Sequence, residues 1–173
     1  MLRRRIQAYS NALIDALASI LRAAKNSRDS RIDQSTTTTK SMSLIEFAPK
    51  GDSRGSLIAL ENLKEVPFEI KRVYYIYGTE RGVRRGMHAH RDLQQVAICV
   101  CGACTFVLDD GRERRSIRLD RPDRGLHIRS MVWREMEDFT PDCVLLVLAN
   151  QLYDESDYIR NYNKFEGLVE KAD

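Results

Sequence analysis

The sequence predicts an all-β domain, a sandwich or barrel. Three observations predict it: a succession of short apolar runs, turn chemistry between them, and helical periodicity confined to the two ends. From Leu44 onward the runs are Leu44 to Phe47, Ser56 to Leu60, Ile70 to Tyr77, Val96 to Cys101, Cys104 to Leu108, Arg115 to Leu119, Leu126 to Arg129 and Cys143 to Ala149. Gly51-Asp52, Asp109-Asp110-Gly111 and Thr140-Pro141-Asp142 punctuate them, and the spacing leaves no room for alternating βαβ units. Phe106 to Leu108, the Asp-Asp-Gly turn and Arg115 to Leu119 read as the clearest hairpin. Phe165 to Lys171 reads as a short C-terminal helix.

The first 41 residues follow a different rule. Leu13, Ile14, Leu17, Ile20 and Leu21 recur at helical spacing, and a polar stretch from Asn26 to Lys40 with four consecutive threonines follows them. The expected organisation is an amphipathic helix on a flexible tether over residues 1–41 and a folded domain over residues 42–173, with Met42 as an alternative start. The segment holds eight basic against three acidic side chains, a net of +5, so the remainder carries −2 of the total +3. A solvated appendage is preferred over a targeting or membrane-surface segment. The acidic balance of the body argues against nucleic-acid binding.

With 173 residues, 43% hydrophobic and 31% charged, the chain can bury one core and not two. Its apolar runs fall far short of the roughly 20 residues that span a bilayer. A soluble, cytoplasmic protein is expected, with no membrane partner. Cys99, Cys101, Cys104 and Cys143 are read as reduced thiols packed as small hydrophobes, with Cys99 and Cys101 on one face of a strand. A Cys-x-Cys-x-x-Cys metal knot lacks a fourth ligand nearby.

The chemistry concentrates in Gly82 to His90. His88 and His90, two of three histidines, are two residues apart, so a strand projects both imidazoles from one face beside Arg84 and Arg85. Histidine suits proton transfer near neutrality because its ordinary pKa is about 6.5.

Gly82, five residues, His88-x-His90, then Gln95 and six residues to Gly102 resembles the first motif of the cupins, which fold as a double-stranded β-helix, or jelly roll. Metal-binding cupins place a glutamate at the position of Gln95 and a further histidine on a later strand, where this chain has Val132-Trp133-Arg134. An amide and a guanidinium are poor transition-metal ligands, so no metal is expected. Six motifs in order then resemble the dTDP-4-oxo-6-deoxyglucose 3,4-ketoisomerase family (WxcM-like/FdtA-like). They are Asp52 to Leu57, Ile70 to Ile76, Arg85 to His90, Val107 to Gly111, Val132 to Met136 and Tyr153 to Arg160. The family commonly has Trp-His-x-Met where this chain has Trp133-Arg134-Glu135-Met136.

The resemblance implies isomerisation of a dTDP-linked 4-keto-6-deoxyglucose to its 3-keto isomer through an enediol, with no cofactor. His90 is expected as the carbon base and His88 as its partner, with the reverse order as the alternative. Arg54, Arg72 and Arg85 are expected on the diphosphate and Tyr74 within the same pocket. A homodimer is expected, and a PLP-dependent aminotransferase would use the product for deoxyamino sugars of lipopolysaccharide O-antigen. Arg54-Gly55 resembles the members that give the galacto product. A cupin epimerase acting at C3 and C5, or a non-catalytic nucleotide-sugar-binding cupin, are the alternatives.

Overall fold

The computed structural model describes residues 41–172, so the helix and tether expected before Ser41 lie outside the described residues. Twelve strands run as β1 (Met42–Glu46), β2 (Lys50–Asp52), β3 (Gly55–Leu57), β4 (Arg72–Tyr77), β5 (Arg85–His90) and β6 (Gln95–Cys101), then β7 (Cys104–Asp109), β8 (Arg114–Leu119), β9 (Arg124–Ile128), β10 (Trp133–Glu137), β11 (Val144–Ala149) and β12 (Tyr158–Ile159). A 3-10 turn (Glu155–Asp157) precedes β12, and a helix, α1 (Tyr162–Val169), follows it. The strands form two five-stranded sheets, ordered β1-β9-β6-β11-β4 and β12-β5-β10-β7-β8, with β2 and β3 as a separate hairpin. All strand pairs are antiparallel, which is the jelly roll expected of a cupin.

The main core lies between the sheets. Ala97, Leu126, Ile128, Leu145 and Val147 on one side meet Phe106, Leu108, Ile117, Leu119 and Met136 on the other. The alternate residues of β6, Val96 and Ile98, face the opposite way into a second cluster with Phe47, Val66 and Phe68. Both faces of β6 are therefore covered, which is why its sequence is continuously apolar. A third cluster packs Phe165 of α1 against Ala89, Trp133 and Ile159, on the outer face of the second sheet.

Three differences from the sequence reading have local causes. The helix begins earlier than Phe165, because the Asn161 side chain caps it by accepting a hydrogen bond from the Lys164 N–H at 2.9 Å. Strand β10 escapes a hydropathy pattern because its inward and outward residues include Arg134 and Glu135, yet both are buried. Cys99 and Cys101 do not share a face. The pairing of β6 with β11 slips between Leu145 and Val144, which leaves Val100 as an extra residue and turns Cys101 to solvent. The other three cysteines are buried, as packing thiols should be.

Candidate active site

Strand β5 carries a bulge at the point where the two histidines are aimed. Arg134 pairs with His88 and Glu135 with Gly86, so Met87 is the extra residue, and it sits at φ 54°. Gly86 sits at φ 86°, and a Cβ there would lie 2.7 Å from the Arg134 carbonyl oxygen. Only glycine allows this approach of β5 to β10. Beyond the bulge normal alternation resumes, so His88 and His90 both point between the sheets while Ala89 packs outward.

The two imidazoles meet edge to face at 4.8 Å between ring centres. Tyr158, paired with His90 across β12 and β5, lies 4.9 Å from His88 and 4.2 Å from His90. His90 is 1% exposed, and its Nδ1 is 2.7 Å from the Asp157 carboxylate. The other Asp157 oxygen accepts from the Asp92 N–H at 2.8 Å, which fixes the carboxylate. An ionised carboxylate can only accept, so Nδ1 carries the proton and Nε2 holds a lone pair. That Nε2 is buried without a hydrogen-bond partner, as is Nδ1 of His88.

Burial, then the positive charge of Arg134, lowers the pKa of both imidazoles. His88 falls to about 4, and His90 is pushed well below its ordinary range. Both rings are therefore neutral at pH 7.

Arg134 and Gln95 stand where other cupins place metal ligands, and each is engaged inside the chain. The Arg134 guanidinium is buried and donates to the Gln95 side-chain oxygen and, at 3.0 Å, to the Val132 carbonyl. Gln95 in turn donates to the Tyr74 hydroxyl at 2.8 Å. The positions that supply metal ligands in other cupins thus hold an internal cation and an amide whose oxygen is already taken. Burial lowers the Arg134 pKa to about 10, which still leaves it charged at neutrality.

A cleft of about 470 Å³ opens over this cluster. Arg72, Tyr74 and Ile76 of β4, Arg85, Gly86 and His88 of β5, Met136, Tyr153, Tyr158 and Arg160 line it. The Arg72 guanidinium lies over the Tyr74 and Tyr153 rings, 5.4 and 5.7 Å from their centres, and its Nε is buried without a partner. Arg160 stacks 4.4 Å over Tyr158 and pairs with Glu155.

The structure therefore brings together His88, His90, Arg72, Tyr74 and Arg85. His90 lies one layer behind the cleft wall that His88 lines. Arg54 is elsewhere, on the β2–β3 hairpin, with its side chain 87% exposed and paired with Asp52. Sequence reasoning did not assign roles to Asp157, Tyr158, Arg160 or the Arg134–Gln95 pair. Asp157, Tyr158 and Arg160 stand in a quoted motif, but nothing in the spacing says that Asp157 reaches back 67 residues to His90.

A family model described as "FdtA: WxcM-like, C-terminal" matches residues 40–170. The chain belongs to this WxcM-like family. Within it, the chain is 50% identical over 128 residues to the TDP-4-oxo-6-deoxy-α-D-glucose-3,4-oxoisomerase of Aneurinibacillus thermoaerophilus, covering 74% of this chain and 92% of the relative. A 3,4-ketoisomerase crystal structure from Helicobacter canadensis is 53% identical, with a TM-score of 0.73 over 75% of this chain and 97% of that one. The 3,4-ketoisomerase QdtA of Thermoanaerobacterium thermosaccharolyticum is 43% identical, with a TM-score of 0.75 over 78% and 97%. It was crystallised as a histidine-to-asparagine mutant in complex with TDP-4-keto-6-deoxyglucose. The family match extends through the 3-10 turn that carries Asp157 and the helix that carries Phe165.

Proposed function

We propose that the chain isomerises dTDP-4-oxo-6-deoxyglucose to the dTDP-3-oxo-6-deoxyhexose. The observation that carries this reading is the His90 imidazole, held by Asp157 with an unpartnered Nε2 behind a cleft lined by arginines and tyrosines. Nε2 takes the C3 proton, made acidic by the neighbouring C4 ketone, and an enediol forms. A proton returned to C4 leaves the ketone at C3. His88 moves the hydroxyl proton, and the fixed charge of Arg134 favours the build-up of negative charge on the enediol oxygens. The nucleotide diphosphate lies toward Arg72, whose unpartnered Nε is a donor without an acceptor, and toward Arg85. Tyr74 is held by Gln95 within the same cleft. Proton NMR of dTDP-4-keto-6-deoxyglucose incubated with the protein tests the conversion. A sugar recovered unchanged would make the chain a binding module.

No step uses a metal or a nicotinamide. Turnover is expected to survive exhaustive chelation, and loss of activity restored by one equivalent of a transition metal would overturn this. The product is expected in the galacto configuration, as the resemblance of Arg54-Gly55 to the galacto-producing members of the family implies. The H4–H5 coupling of fresh product checks this: a small value fits the axial 4-hydroxyl, and a large diaxial one contradicts it. A 3-keto group is what a PLP-dependent aminotransferase consumes, so the proposed product would serve deoxyamino-sugar synthesis, as for O-antigen. The four free thiols suit the reducing cytoplasm. No helix among the described residues is long and apolar enough to cross a membrane.

The exposed hairpin supports a homodimer. All of Lys50–Asp52 and Gly55–Leu57 is exposed, and β4 is a sheet edge whose outer residues Val73, Tyr75 and Tyr77 are 56%, 61% and 70% exposed. Pairing the hairpin of one protomer with β4 of its partner covers both surfaces and carries Arg54 to the partner's cleft, beside Arg72. Mixed dimers test this arrangement. His90→Asn and Arg54→Ala chains, each impaired alone, are expected to regain activity when mixed, because one of the two shared sites is then intact. If mixing restores nothing, Arg54 does not act across the interface.

A further inference from the structure

The main core contains a cluster of soft donors that the isomerisation does not use. Cys99 of β6, Cys104 at the start of β7 and Cys143 just before β11 are 1%, 0% and 3% exposed. Their three sulfurs all lie within 4.8 Å of one another, and those of Cys99 and Cys143 are 3.5 Å apart. Cys101, the second cysteine of the sequence run, is excluded by the β6 bulge, and Cys143 from a distant segment takes its place. No spacing motif could have announced this set. Among the described residues it is also the one group of three or more metal-ligating side chains drawn this close.

We propose that Cys99, Cys104 and Cys143 form a binding site for a single thiophilic divalent d10 cation, of the zinc or cadmium class. Tetrahedral zinc–sulfur bonds of about 2.3 Å place sulfurs about 3.8 Å apart, so closing the cluster onto an ion needs movements of less than about 1 Å. A fourth donor is at hand. The Cys101 carbonyl oxygen lies 3.1 Å from the Cys99 sulfur and accepts a hydrogen bond from its thiol in the metal-free chain. Once that thiol ionises, the oxygen is free to face the ion.

Charge selects the divalent class. Three thiolates around a divalent ion leave −1 in an apolar core, whereas a cuprous ion would leave −2, a heavier desolvation cost. On binding, three S–H bonds break, three metal–sulfur bonds form and three protons pass to solvent. Burial pushes the Cys143 thiol up to about 12, and the hydrogen bond with Cys104 raises that of Cys99. The ion would join strands of both sheets through the core and shares no residue with the cleft, so it stabilises the fold without entering the reaction.

Cadmium, added to the metal-free full-length protein and left to equilibrate, tests the proposal through its sulfur-to-metal charge-transfer absorption. The expected result is saturation at one cadmium per chain, release of three protons, a raised melting temperature and unchanged turnover. Cys101→Ser should behave as wild type, and Cys104→Ala or Cys143→Ala should lose more than about 100-fold in affinity. Where either alanine variant fails to fold, proton release and stoichiometry on the wild-type chain still decide. No saturable band in the native wild-type protein, or a band abolished by Cys101→Ser, would overturn the proposal.

Discussion

His90→Asn is expected to lower turnover by at least about 10²-fold while leaving the fold and substrate binding intact. Asparagine keeps a polar group beside Asp157 but offers no lone pair of imidazole basicity where Nε2 stands. The effect should fall on kcat rather than KM, because in the proposed reading the nucleotide is held by the arginines that line the cleft and not by His90. His88→Asn should also slow turnover, through proton movement at the hydroxyls. The pH profile offers a second check. The folded chain holds both imidazoles neutral well below about 6.5, so the base remains competent as pH falls from 7 toward 5. Below about 6.5 the unfolded chain takes up protons that these rings refuse in the fold. Stability, not base ionisation, is then what declines with acid, and melting curves across pH 4 to 7 would separate the two.

Asp157→Asn should cost about 10²-fold or more in kcat with little change in KM. The carboxylate keeps the proton on Nδ1 and the lone pair on Nε2, and an amide can hold either tautomer. The same substitution leaves the Asp92 N–H with an oxygen to bond, so the chain before Leu93 should keep its place. A merely structural role would instead lower the melting temperature without altering the kcat profile. Near-normal kcat in a well-folded Asp157→Asn protein would remove Asp157 from the mechanism and reopen which nitrogen of His90 is the base.

Much of this was legible because the relevant signals are local. The two-residue spacing of His88 and His90 fixes a shared face on any strand, and the Asp109-Asp110-Gly111 turn fixes the β7–β8 hairpin, found with Phe106 opposite Ile117. What escaped depends on contacts distant in sequence. Asp157 meets His90 only because β12 pairs with β5. Arg134 looked like a lost ligand and is instead a buried cation satisfied by Gln95 and a backbone carbonyl. The bulges at Met87 and Val100 break the alternation on which strand reasoning depends, and the second of them sent Cys101 to solvent. Arg54 was grouped with the diphosphate-binding arginines by its motif, yet a single chain leaves it exposed on a hairpin and paired with Asp52.

The most direct measurement follows dTDP-4-keto-6-deoxyglucose by proton NMR while the protein turns it over in deuterium oxide. An enediol between C3 and C4 is expected to give the 3-keto product with its original hydrogen kept at C5. A sugar that remains a 4-ketone and acquires deuterium at C5 would contradict it, and would mark the histidine pair as the base of an epimerase.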